Sequence, residues 1–312
     1  MEKVKAWWKP RSFHVMFGAM VLFWVFSWSM GGIQFSYDSW SHLSVGRYIV
    51  ENLSIPKTFI FSYSLPENDW VDYEWLFQVI LYQVFHIVSY KGLLTFGAIL
   101  VTFTFFLLSF IIPSVKTTSE RDPENWYQLG DYVNKRVIAP LLVIMMAFLI
   151  LEPRLTLRPH LFEYLFLVLF LLILQRYHSG KKSMILLPLV QILWINTHGS
   201  GILGPLVIFA YLVGETTSKL MKTGAENESW SNVRRLLILF LLVSASTLIN
   251  PYTYRILHVP YESMAFYLRN PDIRPLFVER QNILTSSASR EILLCVTLFL
   301  ASVYSFLRLR RG

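Results

Sequence analysis

The stretch WLFQVILYQVFHIV, residues 75–88, decides how this chain is laid out. It is apolar but short, and Gln78, Gln83 and His86 are spread along it. Counted as a membrane span, it would place Lys116, Arg121, Lys135, Arg136, Lys181 and Lys182 on the outer side. Counted as a helix lying in the membrane interface, it leaves all of them inside. Lys and Arg concentrate in cytoplasmic loops, so the second reading is adopted.

Working outward, the chain has 312 residues, of which 54% are hydrophobic and only 15% charged. Several apolar runs approach the roughly 20 residues a bilayer helix needs. In lipid only helices and closed barrels satisfy their own backbone, and the runs do not alternate with the period of a barrel strand. The expected fold class is therefore an all-α polytopic membrane protein of about eight transmembrane helices. The spans are placed at 13–35, 92–114, 137–153, 159–176, 184–197, 199–215, 235–250 and 291–308. One or two interfacial juxtamembrane helices lie in the first external loop, 36–91. Residues 1–250 form the main transmembrane module, 251–290 an external loop, and 291–312 the last span with a basic cytoplasmic tail.

This topology puts eighteen of the 28 Lys and Arg residues inside, with both termini cytoplasmic. The net charge of +8 then reflects membrane orientation, and no nucleic-acid partner is expected. The first apolar run has no small-x-small cleavage site and is read as a retained span. LLPLVQILWIN is short for a span, but merging it with the following run would push Lys219, Lys222, Arg234 and Arg235 outside, so two spans are kept. The single cysteine, Cys295, excludes an intramolecular disulfide.

On this layout the unusual polar residues fall at one depth, the outer face. Asp38 opens the amphipathic stretch YDSWSHLSVGRYIVENLSIP, 37–56, which also carries His42. Its Leu43, Val45, Tyr48, Ile49 and Leu53 are expected to lie in the interface while Arg47 and Glu51 face water. Asp72 and Glu74 precede the 75–88 helix, where acids also suit a helix N-terminus. EPRLTLRPHLFEY, 152–164, supplies Glu152, Arg154, Arg158 and His160. WINTHGSG, 194–201, supplies Trp194, Asn196 and His198, and NPYTYR, 250–255, supplies Asn250, Tyr252 and Arg255. Taken singly, each has a structural explanation as a membrane-edge marker, a cap or a turn residue. Arg154 and Arg158 stand out, because they sit outside against the charge trend, and a lipid phosphate is the natural anion for them. A carboxylate beside such arginines suits transfer from a lipid-phosphate donor: the carboxylate takes a hydroxyl proton and the arginines hold the leaving phosphate.

The order of these motifs resembles the GT-C superfamily of integral membrane glycosyltransferases. It is most similar to the bacterial group of dolichyl-phosphate-mannose-protein mannosyltransferase-like and aminoarabinose-transferase-like proteins. The resemblance rests on a span, the YDSWSHLSVGRYIVENLSIP helix, the segment WVDYEWLFQVILYQVF, and the turns RPH, WINTHG and NPY. It implies a polyprenyl-phosphate sugar donor and a glycan, lipid or protein acceptor at the outer face of a bacterial inner membrane. Asp38 would be the general base. His42, Asp72, Glu74, Trp194, Asn196 and His198 would support it or line the acceptor site. Arg154, Arg158 and His160 would bind the lipid phosphate. Relatives often carry a second acid after the first, where this chain has Ser39, and commonly extend beyond the point where it stops at RLRRG. Those departures leave a second reading, a non-catalytic scaffold or lipid-glycan-binding subunit on the same frame. Asp72-Tyr73-Glu74 spells D-x-E, whose oxygens would suit magnesium or manganese, but no metal or other cofactor is expected. A transporter fits poorly, since the span interiors carry few charges and no matched pair of broken helices is evident.

Overall fold

The computed structural model describes residues 10–33, 35–64, 67–111, 139–175, 182–221 and 230–270. The last expected span, Cys295, the connection from residue 271 onward and the expected cytoplasmic loop 115–136 lie outside the described residues. The described part is helical, with an isolated antiparallel bridge between Thr58 and Asp69 and no strand among the described residues. Its helices are α1 (Pro10–Gly32), α2 (Tyr37–Asn52), α3 (Trp75–Leu108), α4 (Ala139–Leu151), α5 (His160–Leu174), α6 (Leu186–Thr197), α7 (Leu203–Met221), α8 (Trp230–Ser246) and α9 (Val259–Arg269). Short 3-10 turns at Glu152–Arg154, Gly199–Ile202 and Thr253–Leu257 join several of them.

Two helical stretches are long and apolar enough to cross a membrane, Trp75–Leu108 and Gly199–Thr217. Others are apolar but shorter, including His160–Leu174 and Ser183–Thr197. The 75–88 stretch is the first half of α3. The helix breaks at Ser89, whose φ of 56° and ψ of −166° are costly for a residue with a side chain. The break falls where the sequence reading divides the interfacial run from the span that begins at 92.

Local sequence explains the ends of α2. Ser36 caps it by accepting from the Ser39 N–H at 3.3 Å, and the Ser36 N–H donates to the Ser39 hydroxyl at 3.1 Å. This reciprocal pair satisfies two of the orphan donors of the first turn. The helix ends at Leu53 in a left-handed conformation, three residues before Pro56.

The apolar stripe of α2 corrects the sequence expectation. Leu43, Val45, Gly46 and Ile49 are buried inside the protein, and α2 packs chiefly on α3. Leu53, at the end of the helix, is 92% exposed. The stripe is consumed because Gly46 brings the two helices into backbone contact: a Cβ there would lie 2.1 Å from the Gln78 carbonyl oxygen. Arg47 and Glu51 do face outward, joined at 2.8 Å.

The core has two parts. One gathers Val25, Ile33, Leu43, Phe77, Leu81, Phe105 and Phe148 from α1 to α4. The other gathers Phe166, Phe170, Trp194, Ile208 and Leu236 from α5 to α8. Phe162 and Leu169 of α5 touch both, so α5 is the common wall. Its first turn therefore sits where α2, α3 and the α6–α7 turn converge.

Candidate active site

The site begins at the first turn of α2. Asp38 is the acid of that turn, where exposed N–H groups and the helix dipole favour negative charge. Its Oδ2 lies 2.8 Å from Nη2 of Arg158, and Nε of Arg158 donates to the Ser36 hydroxyl at 3.0 Å. Arg158 precedes Pro159 and α5, so the fold joins a carboxylate and a guanidinium 120 residues apart in the chain. The Asp38 side chain is 58% exposed and that of Arg158 is 24% exposed. A partly exposed pair of this kind contributes on the order of 1 kcal/mol or less. Its consequence is placement: it fixes an acid and a cation side by side at an accessible surface.

Ser39 has a structural duty. It is fully buried, and its hydroxyl donates to the Leu157 carbonyl at 2.8 Å. An ionised acid at 39 would set a carboxylate against that carbonyl in a dry site, where the serine hydroxyl donates. The single acid on this turn follows from the packing of α2 on the 155–158 segment.

Behind the pair lies a cluster of alternating acids and imidazoles. Glu74, at the start of α3, has Oε2 3.9 Å from His42 Nε2 and Oε1 3.9 Å from His198 Nε2. The other ring nitrogen of His198, Nδ1, lies 3.1 Å from Oε2 of Glu163 and 2.6 Å from the Ser200 hydroxyl. Burial pushes the Glu74 carboxyl up to about 7, with Asp72 and Asp38 adding to the rise and His198 and Arg158 opposing it. Burial also holds the His42 imidazole down at about 4, against the pull of Asp38. His42 packs edge-on against Phe77, with ring centroids 5.3 Å apart, which accounts for that dry setting.

Asp72 points elsewhere. It is 2% exposed, and its Oδ1 accepts from Gln78 Nε2 at 2.9 Å and from the Glu74 N–H at 3.4 Å. Asp72 Oδ2 and Gln78 Oε1 have no hydrogen-bond partner among the described residues. Burial raises the Asp72 carboxyl to about 6. Within the D-x-E stretch the two carboxylates take different partners, Gln78 for Asp72 and the imidazoles of His42 and His198 for Glu74. Among the described residues no group of three His, Cys, Asp or Glu is placed to hold a metal ion.

The remaining sequence candidates divide. His160 belongs to the site's surroundings: its Nε2 contacts the Arg154 carbonyl, and the charges of Arg158, His198 and Glu163 act on it. Arg154 is exposed and its charge acts on Tyr164, while the cation paired with Asp38 is Arg158. Trp194 is fully buried against Phe170 and donates to Ser200. Asn196 accepts from Trp75 Nε1 at 2.8 Å and donates to the carbonyls of Ile192 and Ile249. Asn196 thus braces α6 against α3 and the segment after α8, and Trp194 braces it against α5 and the turn at Ser200. The NPYTYR turn clasps the 56–70 segment, with Tyr252 donating to the Pro56 carbonyl and Arg255 to Asp69, each at 3.4 Å.

Glu163 is the residue that sequence reading missed. The signal was present, since an acid inside the apolar run HLFEYLFLVLF is costly unless it has a partner. Fold and site together define an all-α protein with, among the described residues, two helices of membrane-spanning length and an ionic cluster where helix ends meet. Comparison with family models, with curated proteins and with solved structures finds no match to this chain.

Proposed function

We propose that this chain is an integral membrane glycosyltransferase of the GT-C type, moving a sugar from a polyprenyl-phosphate donor to an acceptor hydroxyl. In this reading it has about eight spans, both termini inside, and its site at the outer face of a bacterial inner membrane. The observation that supports it best is the Asp38–Arg158 contact at 2.8 Å, a proton acceptor beside a phosphate-binding cation at an open helix end.

The roles follow from charge. A donor phosphate competes with Asp38 for the Arg158 guanidinium. The ion pair is weak enough to yield, because both partners keep access to solvent. Arg158 turned to the phosphate stabilises the charge that grows as the sugar C1–O bond breaks. Asp38, released, takes the proton from the acceptor hydroxyl as its oxygen bonds to C1. The polyprenyl phosphate leaves with the electron pair of the broken bond. Ser36 positions Arg158, and Ser39 anchors the helix turn that carries Asp38.

Asp38→Asn keeps the shape and removes the base. It is expected to abolish transfer of radiolabelled sugar from polyprenyl-phosphate donors in membranes, with unchanged expression. Full activity in that variant would overturn the assignment. Retention of a polyprenyl phosphate by the purified wild-type chain without turnover would instead favour the non-catalytic, lipid-glycan-binding reading.

A further inference from the structure

The cluster behind Asp38 has a connectivity that the transfer step does not use. Glu163, His198, Glu74 and His42 stand in file, each carboxylate facing an imidazole. Each inner member presents its two polar ends to different neighbours. His198 faces Glu163 with Nδ1 and Glu74 with Nε2, while Glu74 faces His198 with Oε1 and His42 with Oε2. An imidazole carrying one proton donates at one nitrogen and accepts at the other, so it can take a proton on one side and release one on the other. The 3.1 Å step permits a direct hydrogen bond, and the two 3.9 Å steps are the separation at which a bridging water is to be expected. The file comes from four separate elements: α5, the α6–α7 turn, the start of α3, and α2. His42 lies four residues after Asp38 on α2, hence on the same face, and the Asp38 charge acts on it.

We propose that His42, Glu74, His198 and Glu163 form a proton relay that clears the acceptor proton from Asp38, a role that rests on Asp38 being the base. The proton moves from Asp38 to His42, which passes one from Nε2 to Glu74. Glu74 passes one from Oε1 to His198 Nε2, and His198 releases one from Nδ1 toward Glu163 and Ser200. One proton crosses the file, no electrons move, and Asp38 is again a carboxylate. The settings suit this traffic. Burial keeps His42 neutral near pH 7, so it transmits without storing, while Glu74 exchanges its proton close to neutrality. The other groups facing Glu74 are Asp72 beside it, Arg158 from the 155–158 segment and Asp38 from α2; His160 and Glu163 face His198 from α5. His198, Glu74 and Glu163 are positioning residues in this scheme, acting through Asp38.

The test is an infrared pH titration of the full chain in lipid nanodiscs, following the protonated-carboxyl band. Two raised carboxyls are expected in wild type, Asp72 near 6 and Glu74 near 7, and only the upper component should vanish in Glu74→Gln. His198→Gln should shift it to higher pH, because the imidazole that favours the Glu74 carboxylate is gone. Glu163→Gln, which removes the acid facing Nδ1, should shift it the same way. Asp38→Asn should shift it to lower pH, because a repelling charge is gone. Circular dichroism of each variant reports folding. A Glu74 band unmoved by His198→Gln and Glu163→Gln in folded protein overturns the relay, whatever Asp38→Asn does to sugar transfer. The signed shifts together with full transfer in Asp38→Asn would instead leave the file coupled and remove Asp38 as the base it serves.

Discussion

Gly46→Ala probes the contact on which the site's geometry depends. The added methyl would sit 2.1 Å from the Gln78 carbonyl oxygen, 2.6 Å from its carbon and 3.0 Å from the Tyr82 Cβ. Ordinary contact begins near 3.4 Å, so α2 must retreat by about 1.3 Å, and the first obstacle is helix backbone that cannot rotate away. Overpacking of this kind costs about 1–3 kcal/mol. The helix propensity gain of roughly 1 kcal/mol from Gly to Ala offsets only part of it. A comparable retreat at Asp38 would stretch its 2.8 Å contact with Arg158 to about 4 Å, the limit of an ion pair. Gly214 is the control, because it lies in α7 and a methyl added there would meet nothing within 4 Å. Thermal unfolding in detergent, followed by tryptophan fluorescence, should show Gly46→Ala melting several degrees below wild type and Gly214→Ala at or above it. Equal melting of the two variants would refute the close packing of α2 on α3, and with it the placement of Asp38.

Two further outcomes test the surroundings of the site. Asn196→Leu strands the Trp75 N–H and the Ile249 carbonyl in a dry setting, and should cost about 1–3 kcal/mol in the same melting assay. Asp72→Asn should change the pH dependence of stability. Burial raises the folded-state carboxyl from its ordinary 3.8 to about 6, so its contribution is fully present below about 4 and is lost as pH rises through 6. The variant keeps an acceptor for Gln78 and should gain on wild type between pH 4 and 6, with a constant difference above; a difference independent of pH would contradict the burial of that carboxylate.

The meeting of α2, α3, α5 and the α6–α7 turn explains why the site was only half legible beforehand. Asp38, Arg158, Glu74, His42 and His198 could be singled out because charged or imidazole groups beside apolar runs are conspicuous. Trp194 and Asn196 were singled out with His198 as polar groups of the same turn, yet their polar atoms are spent on Ser200, Trp75, Ile192 and Ile249. Whether an amide is a brace or a ligand depends on partners drawn from residues 75, 192 and 249, and no local pattern records that. Ser39 shows the converse: an absent acid at a helix start gains its meaning from the Leu157 carbonyl 118 residues away.

By itself the sequence determined the helical class, the start of α2, the turn that ends α6, and the division between the 75–88 run and the span from 92. These rest on local chemistry: apolar runs, a serine cap, a turn rich in glycine, and the polar groups scattered through 75–88. Only the tertiary structure decided which face of α2 is covered, that Arg158 rather than Arg154 pairs with Asp38, and that Glu163 completes a file through His198 to Glu74. The physical reason is range. Caps and helix periods act within a turn of the chain, whereas an ion pair or a hydrogen bond is set by distance in space, and here helices far apart in sequence meet at their ends.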